Sequence, residues 1–314
     1  MKGNTVKKVF IDGSAGTTGL RIVQRLSARD DIELISLDDA IRKDPAARAE
    51  ALKAADAAFL CLPDDAAREA VAMLSGADTI ILDTSTAHRT APGWTYGFPE
   101  LSESHRRAIR SSVRIAVPGC HASGFVSLIY PLVEAKLISS QAQLCCHSLT
   151  GYSGGGKKMI AEYDSDERPT MYDAPRQYAL GQTHKHLPEM AMHTKLDTYP
   201  IFSPIVADYY SGMLVCVPLF ASQINGSTDD VRRALKEKYS GNGLVRYVED
   251  ADESGFMSAS ALSGKDIMEI SVFGNDERIT LMSRFDNLGK GASGAAMQCM
   301  NIAFGLDEAC GLDL

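Results

Sequence analysis

The sequence predicts an α/β protein: a Rossmann-type, doubly wound parallel sheet domain followed by an α+β catalytic domain with a mixed or antiparallel sheet. Three observations carry this. Short β-branched runs alternate with helical stretches up to Pro118, the rhythm of a parallel sheet with crossover helices. A glycine-rich turn, Gly13 to Gly19, separates the first run from the first helix. Past residue 140 the runs lengthen, and two are joined by Gly274-Asn275-Asp276, a hairpin signal.

Val6 to Ile11 reads as a strand and Leu20 to Leu26 as an amphipathic helix. Between them Gly13, Ser14, Ala15, Gly16, Thr17 and Thr18 form a loop spaced GxxGxxG rather than GxGxxG. Glycines let the backbone approach a pyrophosphate, and the helix N-terminus receives its charge. A tight βα turn also favours glycine for its own sake, so the order of elements strengthens the nucleotide reading. Ile32 to Leu37 is a second strand. It ends at Asp38-Asp39, which favours a ribose hydroxyl and NAD, whereas Arg42 and Lys43 just beyond favour a 2′-phosphate and NADP. Ala46 to Ala55 is helical, Ala57 to Leu62 a strand, Asp64 to Leu74 a helix and Thr79 to Leu82 a strand. The loops after Leu62, with Pro63, and after Leu82, with Ser85, are expected at the ligand crevice. Tyr96 to Glu100 is a turn before the helix Leu101 to Arg110.

Val113 to Val117 is a strand broken by Pro118-Gly119, so that Cys120 starts whatever follows. A helix there places free N–H groups beside the sulfur and favours thiolate; the alternative is a buried cysteine acting as a small hydrophobe. Phe125 to Ala135 is an apolar helix, and Gln143 to Leu149, Tyr209 to Phe220, Ile267 to Phe273 and Arg278 to Arg284 are strands. Gly151 to Met171 is expected to be a long functional loop. Its Gly151-Tyr152-Ser153-Gly154-Gly155-Gly156-Lys157-Lys158 run offers backbone donors and cationic charge to an anion, or is a flexible surface turn. His184-Lys185-His186-Leu187-Pro188-Glu189 aligns an imidazole and a carboxylate if Pro188 lies in a helix's first turn. A metal is not expected, since no third ligand stands at a recognisable spacing. A small-residue helix, Ala295 to Phe304, returns to the nucleotide domain. The expected domains are 1–118 with 287–314, and 119–286.

At 314 residues, with 45% hydrophobic and 23% charged residues, the chain has the size and balance of a two-domain soluble protein. A net charge of −8 without a basic run excludes a nucleic-acid surface. No stretch approaches membrane-spanning length, no signal peptide is apparent, and the seven cysteines are odd in number without CxxC pairs. These features point to a cytoplasmic protein with reduced thiols.

The glycine loop, Asp83 to Arg89, Tyr96-Gly97-Phe98-Pro99-Glu100, Pro118-Gly119-Cys120, Ser153-Gly154, the His184 to Glu189 stretch and Asp286-Asn287-Leu288-Gly289-Lys290-Gly291-Ala292 occur in an order that resembles the N-acetyl-γ-glutamyl-phosphate reductases of arginine biosynthesis. That family lies within the aspartate-semialdehyde-dehydrogenase-like group, and the resemblance covers nearly the whole chain, in a compact form. The chain departs where longer members have Cys-Tyr-Pro-Thr and it has Cys120-His121-Ala122-Ser123. The resemblance implies an NADP(H)-dependent enzyme acting through a Cys120 thioester, with His186 or His184 as acid/base and Glu189 orienting the ring. It implies Ser153, Gly154 and Asn287 as further cofactor contacts, and Arg89, Ser123 and Lys157 at the substrate. The partners are then a small acyl phosphate or semialdehyde and phosphate, and the enzyme is a homo-oligomer, dimer or tetramer. Two other readings compete: an aspartate-semialdehyde dehydrogenase, which reads a free amino group, and a nucleotide-sensing protein without chemistry, which does not need Cys120.

Overall fold

The computed structural model describes residues 6–74, 76–241 and 243–314; residues 1–5, the start of the expected first domain, lie outside these. Contacts divide the chain into two units, one holding the chain up to Pro118 with Ala292–Leu312, the other Gly119–Gly291 with Asp313–Leu314. Asn287 to Gly291, expected with the first domain, therefore group with the second. Asn287 accepts from the Gly212 N–H at 2.8 Å and donates to Ser153 Oγ at 3.0 Å, which fixes that segment there.

The first unit runs β1 (Lys7–Asp12), α1 (Thr17–Leu26), β2 (Ile32–Ile35), α2 (Pro45–Ala54), β3 (Ala57–Leu60), α3 (Asp64–Met73), β4 (Ile80–Asp83), β5 (Thr95–Tyr96), α4 (Glu103–Ser111) and β6 (Arg114–Ala116). The strands form a parallel sheet in the order β2-β1-β3-β4-β6-β5. Successive side chains on a strand point to opposite faces, and both faces are covered. Val9, Ile11, Phe59 and Leu82 join Ile22 and Leu26 of α1 in one core; Phe10, Ala58, Leu60 and Ile81 join Leu52 of α2 and Ala67 and Ala70 of α3 in the other. Each fully buried large side chain contributes about 1.5–3 kcal/mol.

In the second unit α5 (Cys120–Glu134) begins five residues before the expected apolar helix, at Cys120 itself. It is buried from His121 to Leu132, and Gly124 presents no side chain where Val215 and Phe285 press against the helix. There follow β7 (Cys145–Gly151), α6 (Gly156–Tyr163), β8 (Arg176–Gln177), α7 (Leu187–Thr194), β9 (Ile201–Ala207), β10 (Met213–Phe220), α8 (Thr228–Lys238), β11 (Val245–Tyr247), β12 (Met268–Gly274) and β13 (Arg278–Phe285). The sheet is mixed, in the order β11-β12-β13-β10-β7-β9-β8, with β7 and β9 parallel and the central strands antiparallel. The Gly151 to Met171 segment is no plain loop: past its glycines, Lys157 to Tyr163 are ordinary helix formers and make α6. Finally α9 (Gly294–Phe304) returns to the first unit, where Ala295, Ala296, Met297 and Met300 complete the α1 side of the core. Among the described residues no helix is long and apolar enough to cross a membrane.

Candidate active site

In the first unit, β1 runs into the glycine loop and α1 begins on Gly16, whose side chain cannot cap it. Gly13 has φ +87°, and a Cβ there would meet the Cys61 carbonyl oxygen at 2.2 Å. Gly19 is as tightly constrained, with its added Cβ 2.4 Å from the Gly13 carbonyl oxygen. The loop is therefore compressed against β3, and the first turn of α1, with Thr17 and Thr18, presents its N–H groups as an anion site does.

A cavity of about 520 Å3 opens at the carboxyl ends of β1 and β2, lined among others by Gly13, Ser14, Ala15, Arg42, Lys43 and Leu62. Its size, glycine floor and cationic rim fit a dinucleotide. Arg42 Nε lies 2.9 Å from Asp39 Oδ1 at the exposed rim, so the acidic and basic cues in the sequence are neighbours in space. Deeper in, Arg48 holds Asp12 through two hydrogen bonds, at 2.8 and 3.1 Å, a buried pair that fixes the end of β1. Pro63 occupies the N-cap position of α3, without a side-chain hydrogen bond to it. Ser85 donates to Asp83 at 2.8 Å and accepts from the Ala87 N–H at 3.1 Å, so its hydroxyl shapes the loop after β4. Asp83 also binds His88 Nδ1 at 2.6 Å, and His88 stacks on Trp94 at 4.0 Å. Arg89, expected at the substrate, directs Nε to the Val117 carbonyl and Nη2 to that of Thr84, at 2.9 and 2.8 Å.

In the second unit Cys120 is the first residue of α5, and its N-cap, Gly119, supplies no side-chain hydrogen bond. The Gly119 N–H itself donates to Glu189 Oε1 at 2.8 Å, and Glu189 is 1% exposed. Glu189 thus ties α7 to the residue before the cysteine. Pro188 lies in the first turn of α7, as its place after His186-Leu187 suggests, and His186 is the N-cap. The His186 N–H donates to His184 Nδ1 at 3.2 Å, which leaves the ring proton of a neutral His184 on Nε2. The two rings are 4.8 Å apart. Burial raises the thiol pKa of Cys146, and of Cys216 to about 11, which keeps both protonated and inert.

A third imidazole, given no role by the sequence, completes the cluster. His121 is 3% exposed; its ring centroid lies 5.7 Å from that of His184 and 5.6 Å from that of His186. Its Nδ1 meets Ser148 Oγ and its Nε2 meets Tyr178 Oη, each at 2.7 Å. Burial, then the neighbouring His184, push its pKa down to about 3. The departure Cys120-His121 was the signal available in sequence; Tyr178 and Ser148 offered none. Ser123 is buried within α5 and Lys157 is exposed on α6. Ser153 and Gly154 lie against Asn287. Among the described residues, no group of three or more His, Cys, Asp and Glu is arranged to hold a metal ion.

Two family models match the chain: the semialdehyde dehydrogenase NAD-binding domain over residues 36–109, and the semialdehyde dehydrogenase dimerisation domain over residues 120–287. A Sinorhizobium medicae protein named N-acetyl-gamma-glutamyl-phosphate reductase is 44% identical over 94% of this chain and 98% of its own. A Brucella ovis protein of that name is 45% identical over 95% and 99%, and a Nostoc sp. protein named N-acetyl-gamma-glutamyl-phosphate reductase 2 is 43% identical over 97% and 99%. In fold, the chain is similar to an aspartate semialdehyde dehydrogenase from Francisella tularensis, with a TM-score of 0.72 over 94% of this chain and 99% of that one at 13% identity. The second such enzyme of Vibrio cholerae gives 0.71 over 95% and 98% at 14% identity. With both halves of the chain matched in order, and curated relatives aligned almost end to end, the chain belongs to the semialdehyde dehydrogenase family, in the branch of the N-acetyl-gamma-glutamyl-phosphate reductases.

Proposed function

We propose that this protein reduces N-acetyl-γ-glutamyl phosphate to N-acetylglutamate 5-semialdehyde with release of phosphate, using NADPH, as a step of arginine biosynthesis. The observation that carries the reading is Cys120 at the start of a helix with no side-chain cap, beside an imidazole cluster, in a chain so similar to reductases of that name.

The Cys120 thiolate attacks the acyl carbon; the C–S bond forms, the C–O bond to phosphate breaks, and phosphate leaves with its electron pair. A thioester remains on the sulfur, and it accepts hydride far more readily than a carboxylate does. The glycine loop and the cavity of the first unit, with Arg42 and Lys43 at its rim, would hold NADPH, whose chemistry there would be hydride donation to the thioester carbon. His186, or His184 in its place, donates a proton to the oxygen of the resulting adduct and takes it back as the C–S bond breaks, releasing aldehyde and thiolate. Glu189 fixes the backbone at Gly119, immediately before the nucleophile. Arg42 and Lys43 favour NADPH by offering cations to a 2′-phosphate at the cavity rim. Ser153, Gly154 and Asn287 are further cofactor contacts in this scheme, and Arg89, Ser123 and Lys157 substrate contacts. The enzyme is cytoplasmic and works as a homo-oligomer, which the dimerisation-domain match over residues 120–287 supports.

The test runs in the oxidative direction: phosphate-dependent reduction of NADP with N-acetylglutamate semialdehyde, compared with aspartate semialdehyde and with NAD. Preference for aspartate semialdehyde overturns the substrate assignment. Absence of turnover with either favours a nucleotide-sensing protein.

A further inference from the structure

We infer that a hydrogen-bond chain rooted in the interior, Ser148 to His121 to Tyr178, aims the Tyr178 hydroxyl as a donor at the reacting centre on Cys120. This rests on Cys120 being the nucleophile and adds to that reading a group that stabilises developing negative charge beside it.

His121 directly follows Cys120 in the first turn of α5, and both of its ring nitrogens are bonded, to Ser148 and to Tyr178. Ser148 is fully buried on β7, a strand with neighbours on both sides, which anchors one end of the chain to the interior of the second sheet. At the other end the Tyr178 backbone N–H donates to the Pro204 carbonyl at 3.0 Å, so that residue is fixed at its main chain as well as at its hydroxyl. The rings of His184 and Phe202 pack edge-on against that of His121, with centroids at 5.7 and 5.3 Å.

A neutral imidazole offers one donor and one acceptor, so the chain can run in two directions. Burial together with His184 keeps His121 neutral through the working pH range. In one direction Tyr178 donates to His121 and turns its oxygen lone pairs outward. In the other, Ser148 donates to Nδ1, the Nε2–H donates to Tyr178, and the phenol proton points outward. Burial raises the Tyr178 pKa, and the charge on Cys120 raises it further, so the phenol stays protonated and feels the sulfur. Negative charge at Cys120, as thiolate or as the oxygen of the tetrahedral adduct, attracts an outward O–H and repels outward lone pairs. Each charged state of the reaction therefore selects the second direction, and the dipoles are in place before the charge appears. Tyr178 is then a catalytic residue, and His121 a positioning residue that acts through it.

The experiment compares Tyr178→Phe, His121→Leu, His121→Gln and the Tyr178→Phe/His121→Leu double variant. It reads kcat, KM and the pH dependence of Cys120 alkylation by iodoacetamide. Tyr178→Phe is expected to lower kcat about 100-fold with little change in KM, and to move the alkylation midpoint to higher pH. His121→Leu is expected to match it, His121→Gln to recover much of the loss by keeping an N–H donor, and the double variant to be no worse than either single one. Wild-type kcat and an unmoved midpoint in Tyr178→Phe, or losses that multiply in the double variant, overturn the relay. Tyr178→Phe preserves shape and decides the question even if His121→Leu fails to fold. Wild-type turnover that survives in Cys120→Ser overturns the nucleophile reading first, and the relay with it.

Discussion

Two helices of this protein begin in the same way and serve different chemistry. α1 and α5 both start on a glycine in extended conformation, Gly16 at φ −72°, ψ 165° and Gly119 at φ −77°, ψ 145°, and neither has a side-chain cap. Each therefore leaves the positive end of its dipole available for negative charge. At α1 the surroundings are a cavity and a compressed glycine loop, which suit an anion that arrives and departs. At α5 the first residue is itself an ionisable group, a cysteine whose thiolate such an end favours, and the backbone before it is fastened by Glu189. The difference shows that an uncapped helix start specifies charge and nothing more. What stands at its first position decides whether that charge must arrive with a ligand or can form on the chain itself.

The sharpest way to separate the two starts is Cys120→Ser. It is expected to reduce turnover below about a thousandth of wild type while NADPH binding, measured by fluorescence titration, stays intact. Gly13→Ala is the counterpart at α1. The added Cβ has no room beside the Cys61 carbonyl and φ is +87°, so a loss of more than about 2 kcal/mol of stability and a large rise in the cofactor's KM are expected. Glu189→Ala leaves the Gly119 N–H without its acceptor and is expected to cost about 1–3 kcal/mol in denaturant unfolding, whereas Glu189→Gln, which keeps an acceptor oxygen, retains most of that stability. Arg42→Ala is expected to shift the ratio of NADPH to NADH kcat/KM by about tenfold, since it removes one charge-assisted contact at an exposed rim.

A further effect is acid sensitivity at the start of α5. His121 has its pKa lowered from 6.5 to about 3, so below pH 6.5 the unfolded chain takes up a proton that the folded protein does not. Stability is fully present above that pH and falls with acidification, by about 1.4 kcal/mol per pH unit at most, until folded His121 is itself protonated. Unfolding midpoints for wild type and His121→Phe between pH 7 and 5 check this: the variant's profile is expected to be the flatter one.

Much of the fold was legible in sequence where local cues agree. The Pro118-Gly119 break foretold the junction that ends β6 and starts α5 at Cys120, and Gly274-Asn275-Asp276 foretold the antiparallel joining of β12 to β13. β9 was hidden because Pro200 and Pro204 argue against a strand, although its pairing with β7 is parallel and continuous. α8 begins with a capping box between Ser227 and Asp230 that its polar sequence does not advertise as part of a core. In the candidate site, Cys120 and the His184 to Glu189 stretch were readable from spacing. The bond from His121 to Tyr178 was not, since it joins residues 57 apart and exists only once α5 and the segment after β8 meet.

The placement of α9 also sets an order of events during synthesis. Its alanines and methionines fill a core whose other members, from Val9 to Val117, leave the ribosome long before it. Every residue from Gly119 to Gly291 is made in between. Apart from Asp313–Leu314 the second unit is thus contiguous and free to fold as it emerges, while the first unit waits with one side of its sheet uncovered. A nascent chain stalled before Ala292 should therefore hold a folded second unit and an exposed, chaperone-seeking sheet face, the reverse of the usual expectation that the amino-terminal half matures first.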